Sequence, residues 1–263
     1  MTITVTQKLS SAFTDTSLPK LYRDPILTAG SLFLFDALNS YSNPNADGNI
    51  ANGATFANLI DGAPGATANL LGSHFQNLTG KAGIYSDGAG GGSAIGMGAS
   101  TYDLSASNHE FWAWLWFKLP STGYTTSNYQ SPFFYSTSNA NTSQWWFDLG
   151  VGGVQPRFSI GEGGTSAMTL TSPTNITPGS IYMLAGHWKA GALMEMYLNG
   201  SLNNSNSSGI PSSLQAGSTA QPSITDNVTG TIYRWGLEDL TVSGASAAAQ
   251  ASAEYNANHT RFI

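Results

Sequence analysis

HEFWAWLWFKLP, residues 109–120, holds three tryptophans and two phenylalanines in one short run. Side chains alternate between the faces of a strand, so Phe111, Ala113, Leu115 and Phe117 share one face and Trp112, Trp114 and Trp116 the other. Both faces are apolar. Such a strand belongs in the middle of a sheet, covered on both sides, because a soluble monomer rarely leaves a stripe of indoles open to water. The competing reading is a solvent-facing platform for sugar rings.

Outward from that strand, short β-branched or aromatic runs separated by Gly, Asn, Ser and Pro clusters predict further strands. They fall near 31–36, 74–78, 83–86, 93–97, 131–136, 144–150, 155–160, 167–171, 180–188, 193–199 and 231–242. Their number and turn spacing predict an all-β, two-sheet antiparallel jelly-roll sandwich. A chain of 263 residues suffices for one large domain of this kind, placed here at 29–263. The glycine-rich stretch 88–98 lacks the Gly-Lys-Ser/Thr ending and following helix of a phosphate loop, and reads as a turn or rim loop.

The two ends differ from the middle. Residues 1–28 show no sustained period, are broken by Pro19 and Pro25, and predict an extended arm. Leu18, Leu21, Tyr22, Arg23 and Ile26 are its anchors for docking on an assembly partner, with a floppy terminus as the alternative. At the other end, Ser246 is placed to cap a short helix through AAAQASAEY that stops near Asn258. Its small-residue face is expected against the sandwich, with Gln250 and Glu254 in solvent.

Charged residues make up only 9% of the chain, so hydroxyls and amides must carry most of its solubility. A net charge of −6 without any Lys/Arg cluster argues against nucleic acid as a partner. No apolar run approaches the roughly 20 residues of a membrane span, so membrane insertion is not expected. There is no cysteine, and the N-terminus shows no basic stretch leading into an apolar one, so no secretory signal is read there. Together with the Asn-, Thr- and Ser-rich texture of an exposed adhesin, this fits a virion protein assembled in the host cytoplasm, a reading that needs support from motifs.

A second aromatic cluster, residues 128–150, sets Tyr129, Tyr135, Trp145 and Trp146 among amides and hydroxyls. Aromatic faces beside hydrogen-bonding groups suit stacking on the C–H faces of sugars, which makes these four residues the candidate glycan site. The bland reading is a hairpin whose aromatics belong to the core.

SIYMLAGHWKAGALMEMYLNGSL (180–202) reads as a strand, a small turn and a second strand ending in YLNG, and GTIYRWGLEDLTVSGASAAAQASAEY (230–255) as a long strand running into a helix. With ANGATFANLIDGAPGATANLLG (51–72), these phrases resemble the concanavalin A-like, laminin-G-like jelly-roll domains, especially those carried by bacteriophage structural proteins. The resemblance covers roughly residues 30–263. It implies two stacked sheets with Trp112, Trp114, Trp188, Met196, Leu198 and Leu240 in the core. It implies no single function, since lectins, glycosidases, receptor modules and virion decorations share the sandwich.

Glycan-cleaving enzymes of this fold carry paired carboxylates on one strand, and the expected E-x-D-x-x-E or E-x-D-x-E spacing is missing here. Glu110, Glu195 and the pair Glu238–Asp239 are the acids in strong strand contexts, and neighbours on a strand point to opposite faces. His74, His109, His187 and His259 are scattered, without a nucleophile elbow. Asp61, Asp87, Asp103 and Asp148 sit near loops, but no Asp-rich calcium loop organises them. The expectation is therefore no enzyme, no catalytic residue, no metal site and no cofactor. The expected partners are other virion proteins and host-surface glycan, and weak edges with low charge predict a homo-oligomer, a trimer among the options.

Overall fold

The computed structural model describes residues 24–89, 92–97, 102, 104, 109–124, 134–137, 143–162, 165–214 and 221–262. In chain order the strands are β1 (Ser31–Asp36), β2 (Gly48–Asn49), β3 (Thr55–Phe56), β4 (Ala66–Asn69), β5 (Phe75–Asn77), β6 (Ile84–Asp87), β7 (Ala94–Gly96), β8 (Glu110–Lys118) and β9 (Phe134–Thr137). They continue as β10 (Ser143–Leu149), β11 (Pro156–Glu162), β12 (Thr165–Thr171), β13 (Ile181–Lys189), β14 (Leu193–Leu198), β15 (Ser201–Asn206), β16 (Gln221–Thr225) and β17 (Thr229–Asp239). Two helices, α1 (Leu240–Ser243) and α2 (Ala247–Asn258), follow.

One sheet runs β15-β14-β13-β8-β17-β6-β5-β2, with β1 also paired to β17, and is called the front sheet; the back sheet runs β12-β11-β10-β9-β16-β7-β4-β3. The pairings are antiparallel, as the jelly-roll expectation requires. The strand with two apolar faces, β8, sits between β13 and β17 in the middle of the front sheet, and Phe111 through Phe117 are all buried. Its inward face, Phe111, Ala113, Leu115 and Phe117, joins Phe35, Trp145, Phe147, Phe158, Trp188 and Trp235 in the core between the sheets.

The outward face of the front sheet carries a second core. Trp112, Trp114 and Trp116 pack there with Ile26, Leu27, Leu34, Leu59, Ala247, Ala251 and Phe262. Trp112 and Trp114 stack at 4.1 Å and 11°, and Trp116 stacks on Tyr255 of α2 at 5.7 Å and 6°. The indole row is therefore covered by a helix and a chain segment, and it is no platform. Two glycines make these close fits possible. A Cβ on Gly236 would lie 2.3 Å from the Trp114 ring, and one on Gly186 would lie 2.4 Å from Phe158 of the back sheet.

Two expectations about the ends are corrected. Ile26, expected as an anchor for a partner, is buried in this chain's own second core, next to Leu27. Asp24 also belongs to the domain, because its carboxylate holds both Nη atoms of Arg234 at 2.9 Å. The domain thus begins no later than Asp24, and the boundary at residue 29 is too late. Leu18, Leu21, Tyr22 and Arg23 lie outside the described residues. On α2, Ser246 caps the helix as expected, but Gln250 and Glu254 are buried and not in solvent. The reason is a set of charged partners beneath the helix: Arg234, fully buried, donates from Nε to Glu254 at 2.7 Å, and Gln250 donates to Glu238 at 2.9 Å.

Most expected strands recur within a residue or two, but the strand expected at 231–242 ends at Asp239, where the Asp239 cap starts α1 at Leu240, residues 131–133 lie outside the described residues, and β2, β3, β4, β15 and β16 answer to no expected strand. The Asn199-Gly200 pair at the end of YLNG turns with φ of 51° and 78°, the left-handed geometry those residues tolerate.

Candidate functional site

Neighbouring residues on β10 point to opposite faces, and this separates the two candidate indoles. Trp145 is fully buried between the sheets, packed edge-on against Phe134 at 4.9 Å. It is a core residue, which corrects its assignment to the glycan site. Trp146 faces away from the core on the back sheet and is half-buried. Tyr135 is its backbone partner in register on β9, and Tyr129 lies outside the described residues.

The Trp146 indole is held in place. Its N–H donates to Asp148 Oδ2 at 3.1 Å, and Asp148 in turn accepts from Arg157, whose Nη2 lies 2.7 Å from the same oxygen. Asp148 and Arg157 are opposite one another in the β10–β11 register. Burial raises the Asp148 carboxyl above the ordinary aspartate value, against the opposing pull of Arg157 and the indole N–H. Across β11, Ser159 pairs with Thr169, their hydroxyls 2.8 Å apart. A locked aromatic face beside a guanidinium–carboxylate pair and hydroxyls is the kind of surface that stacks on a sugar ring and hydrogen-bonds its edge.

The acids in strong strand contexts are engaged elsewhere. Glu238 is buried on the front sheet's outward face and accepts from Trp112 Nε1 at 2.8 Å, Gln250 and Thr28. Asp239 caps α1 through the Thr241 N–H. Glu110 and Glu195, on β8 and β14, are bridged by His187 of β13, at 3.1 Å to Nε2 and 2.7 Å to Nδ1. Tyr197 donates to Glu195 at 2.6 Å, and Lys189 Nζ lies 2.8 Å from Glu110. Glycosidases need open space between two carboxyl groups for the scissile bond or a water. Here a buried imidazole fills that space.

Of the loop aspartates, Asp87 pairs with His74 at 3.0 Å and Asp148 with Arg157, while Asp103 lies outside the described residues. Among the described residues no three His, Asp or Glu side chains gather as metal ligands. Sequence reasoning did not single out Arg157, Ser159 or Thr169. The alternation in QWWFDL could have sorted the indoles, since Trp145 shares parity with Phe147 and Leu149, and Trp146 with Asp148.

Two stacked antiparallel sheets with these faces define a lectin-like jelly-roll sandwich. A family model described as the concanavalin A-like lectin/glucanases superfamily (Laminin_G_3) matches residues 90–236, and the chain belongs to that family. No curated protein sequence matches the chain. Among solved structures, the botulinum neurotoxin serotype D binding domain superposes with a TM-score of 0.59 at 11% identity, over 89% of this chain and 53% of that one. The chain thus spans about half the length of the toxin domain. Domain 4 of AbnA, a GH43 extracellular arabinanase from Geobacillus stearothermophilus solved with arabinotriose, gives a TM-score of 0.55 at 17% identity, covering 86% of this chain and 98% of the domain. Trypanosoma rangeli sialidase gives a TM-score of 0.55 at 11% identity, covering 90% of this chain and 34% of the enzyme. At such identities the likeness is one of fold.

Proposed function

We propose that this chain is a non-catalytic, lectin-like module that recognises host-surface glycan from a bacteriophage particle, with the outward face around Trp146 as its recognition surface. The observation that carries the reading is the half-buried Trp146 indole, held by Asp148, itself paired with Arg157, on the outward face of the back sheet. Preorganised aromatic surface costs little entropy on binding. The non-catalytic part is supported by the engagement of Glu110, Glu195, Glu238 and Asp239 in internal hydrogen bonds. Display on a particle is supported by the low charge and the resemblance to phage structural domains. The anchoring role falls to Leu18, Leu21, Tyr22 and Arg23, because Ile26 is committed to the chain's own core.

The test has two arms. Purified protein incubated with host-surface polysaccharide should bind it and release no new reducing ends, and antibody against the protein should label intact particles. Turnover of the polysaccharide overturns the non-catalytic reading, and unlabelled particles overturn the virion reading.

A further inference from the structure

On the front sheet, away from Trp146, two cavities meet at the end of the tryptophan row. One, of about 380 Å³, is lined by Trp116, Lys118, Ser180, Tyr255, His259 and Phe262 among others. The second, of about 310 Å³, is lined by Tyr85, Lys118, Pro120, Thr231, Tyr233 and Phe262 among others. Lys118 and Phe262 belong to both, so the two lobes adjoin at these residues as halves of one groove. Each lobe alone reaches the lower end, roughly 300 Å³, of the size usual for small-molecule sites.

The lining has a definite chemistry. Tyr85 and Tyr255 are half-buried, so each presents ring surface to the groove, and the hydroxyls of Ser180 and Thr231 lie beside them. Tyr255 is held by stacking between Trp116 and His259, the latter at 5.0 Å and 18°. Among the described residues no carboxylate lines either lobe. Among the described basic side chains, Arg157, Lys189, Arg234 and Arg261 are each ion-paired, whereas Lys118 has no ion-pair partner among the described residues. Its side chain lines both lobes, in a chain of net charge −6.

We propose that this groove is a second saccharide site, selective for an oligosaccharide bearing a carboxylate or sulfate, with a sugar face on Tyr85, the edge of Tyr255 beside it and the anion on Lys118. The Tyr85 face accounts for the sugar ring, and the Lys118 ammonium supplies a charge-assisted contact that a neutral sugar cannot use.

The test measures binding to matched acidic and neutral oligosaccharides: sialyllactose against lactose, tetragalacturonate against its methyl ester, and sulfated against unsulfated chondroitin tetrasaccharide. Wild-type protein should prefer at least one acidic member by roughly tenfold or more, the scale of one charge-assisted hydrogen bond. That preference should fall as salt screens it. Lys118→Met, which keeps the aliphatic stem, should abolish the preference, and Ser180→Trp, which fills one lobe from its exposed rim, should weaken acidic-probe binding, with both variants melting like wild type. Trp146→Ala, which removes only the back-sheet contribution, should keep a preference for the acidic probe. Equal binding of acidic and neutral members in all three pairs, or an undiminished preference in Lys118→Met, overturns the proposal; loss of the preference in Trp146→Ala moves the site to the back sheet.

Discussion

Trp116 donates its indole N–H to Glu254 Oε1 at 2.8 Å, joining the central strand to the terminal helix across 138 positions of sequence. The same carboxylate holds Arg234 and Asn258, and Arg234 reaches Asp24 and Asp36, so strand, helix and entering segment share one buried polar knot. A buried ion network is weak evidence for net stability, but removing one member strands the others in a poorly solvated place. Arg234→Met should therefore cost about 3–5 kcal/mol, read as a lower midpoint in urea unfolding. An unchanged midpoint would show that water reaches the three carboxylates.

The entering segment gives a second test. A chain starting at residue 29 lacks Asp24, Ile26 and Leu27, and should be less stable than one starting at residue 24 by on the order of 3–6 kcal/mol, at about 1.5–3 kcal/mol for each aliphatic side chain. Parallel thermal and urea melts of the two chains measure the difference. Coincident curves would return this segment to the role of a free anchor.

Within the core, Trp145→Ala should cost roughly 3–5 kcal/mol, because a fully buried indole leaves a cavity that Phe134 and Phe147 cannot close. Trp114→Ala should cost a similar amount on the other face of the front sheet, where the indole is stacked on Trp112. Denaturant midpoints check both, and a change under about 1 kcal/mol at either site would contradict the packing described.

Glu110 sets a pH dependence. Burial pushes its carboxyl up, but hydrogen bonds and charge from Lys189 and His187 outweigh that and hold it below the ordinary glutamate value of 4.5. A carboxyl lowered in the folded state contributes stability above its ordinary value, and that contribution is lost as pH falls through the lowered one. The urea midpoint of Glu110→Gln should thus lie below that of wild type near neutral pH, with the gap narrowing below pH 4.5. A gap constant with pH would remove the ion pair from the explanation.

The sequence made some of this legible and hid the rest for identifiable reasons. β8 is readable because both of its faces are apolar, the Ser246 cap because its hydroxyl precedes a run of helix formers, and the Asn199-Gly200 turn because of its φ requirement. Strands β4, β15 and β16, with sequences ATAN, SLNNSN and QPSIT, carry little β-branched or aromatic signal and form because neighbours offer them a ladder. Burial of Gln250 and Glu254 could not be read locally, since their partners Glu238, Arg234 and Trp116 arrive from other strands. Lys118 stood in plain view at the end of the outward stripe, but only the fold shows that it has no counter-charge among the described residues, whereas Lys189 and Arg234 each have one.

The most direct measurement is the affinity of Trp146→Ala for host-surface polysaccharide, taken by calorimetry beside its thermal melt. An indole that serves recognition should, when removed, weaken binding by roughly tenfold or more while the melting temperature stays close to wild type. Full affinity in a folded Trp146→Ala protein would contradict the recognition role of this face, and unfolding of the variant would make Trp146 a structural residue like its neighbour Trp145.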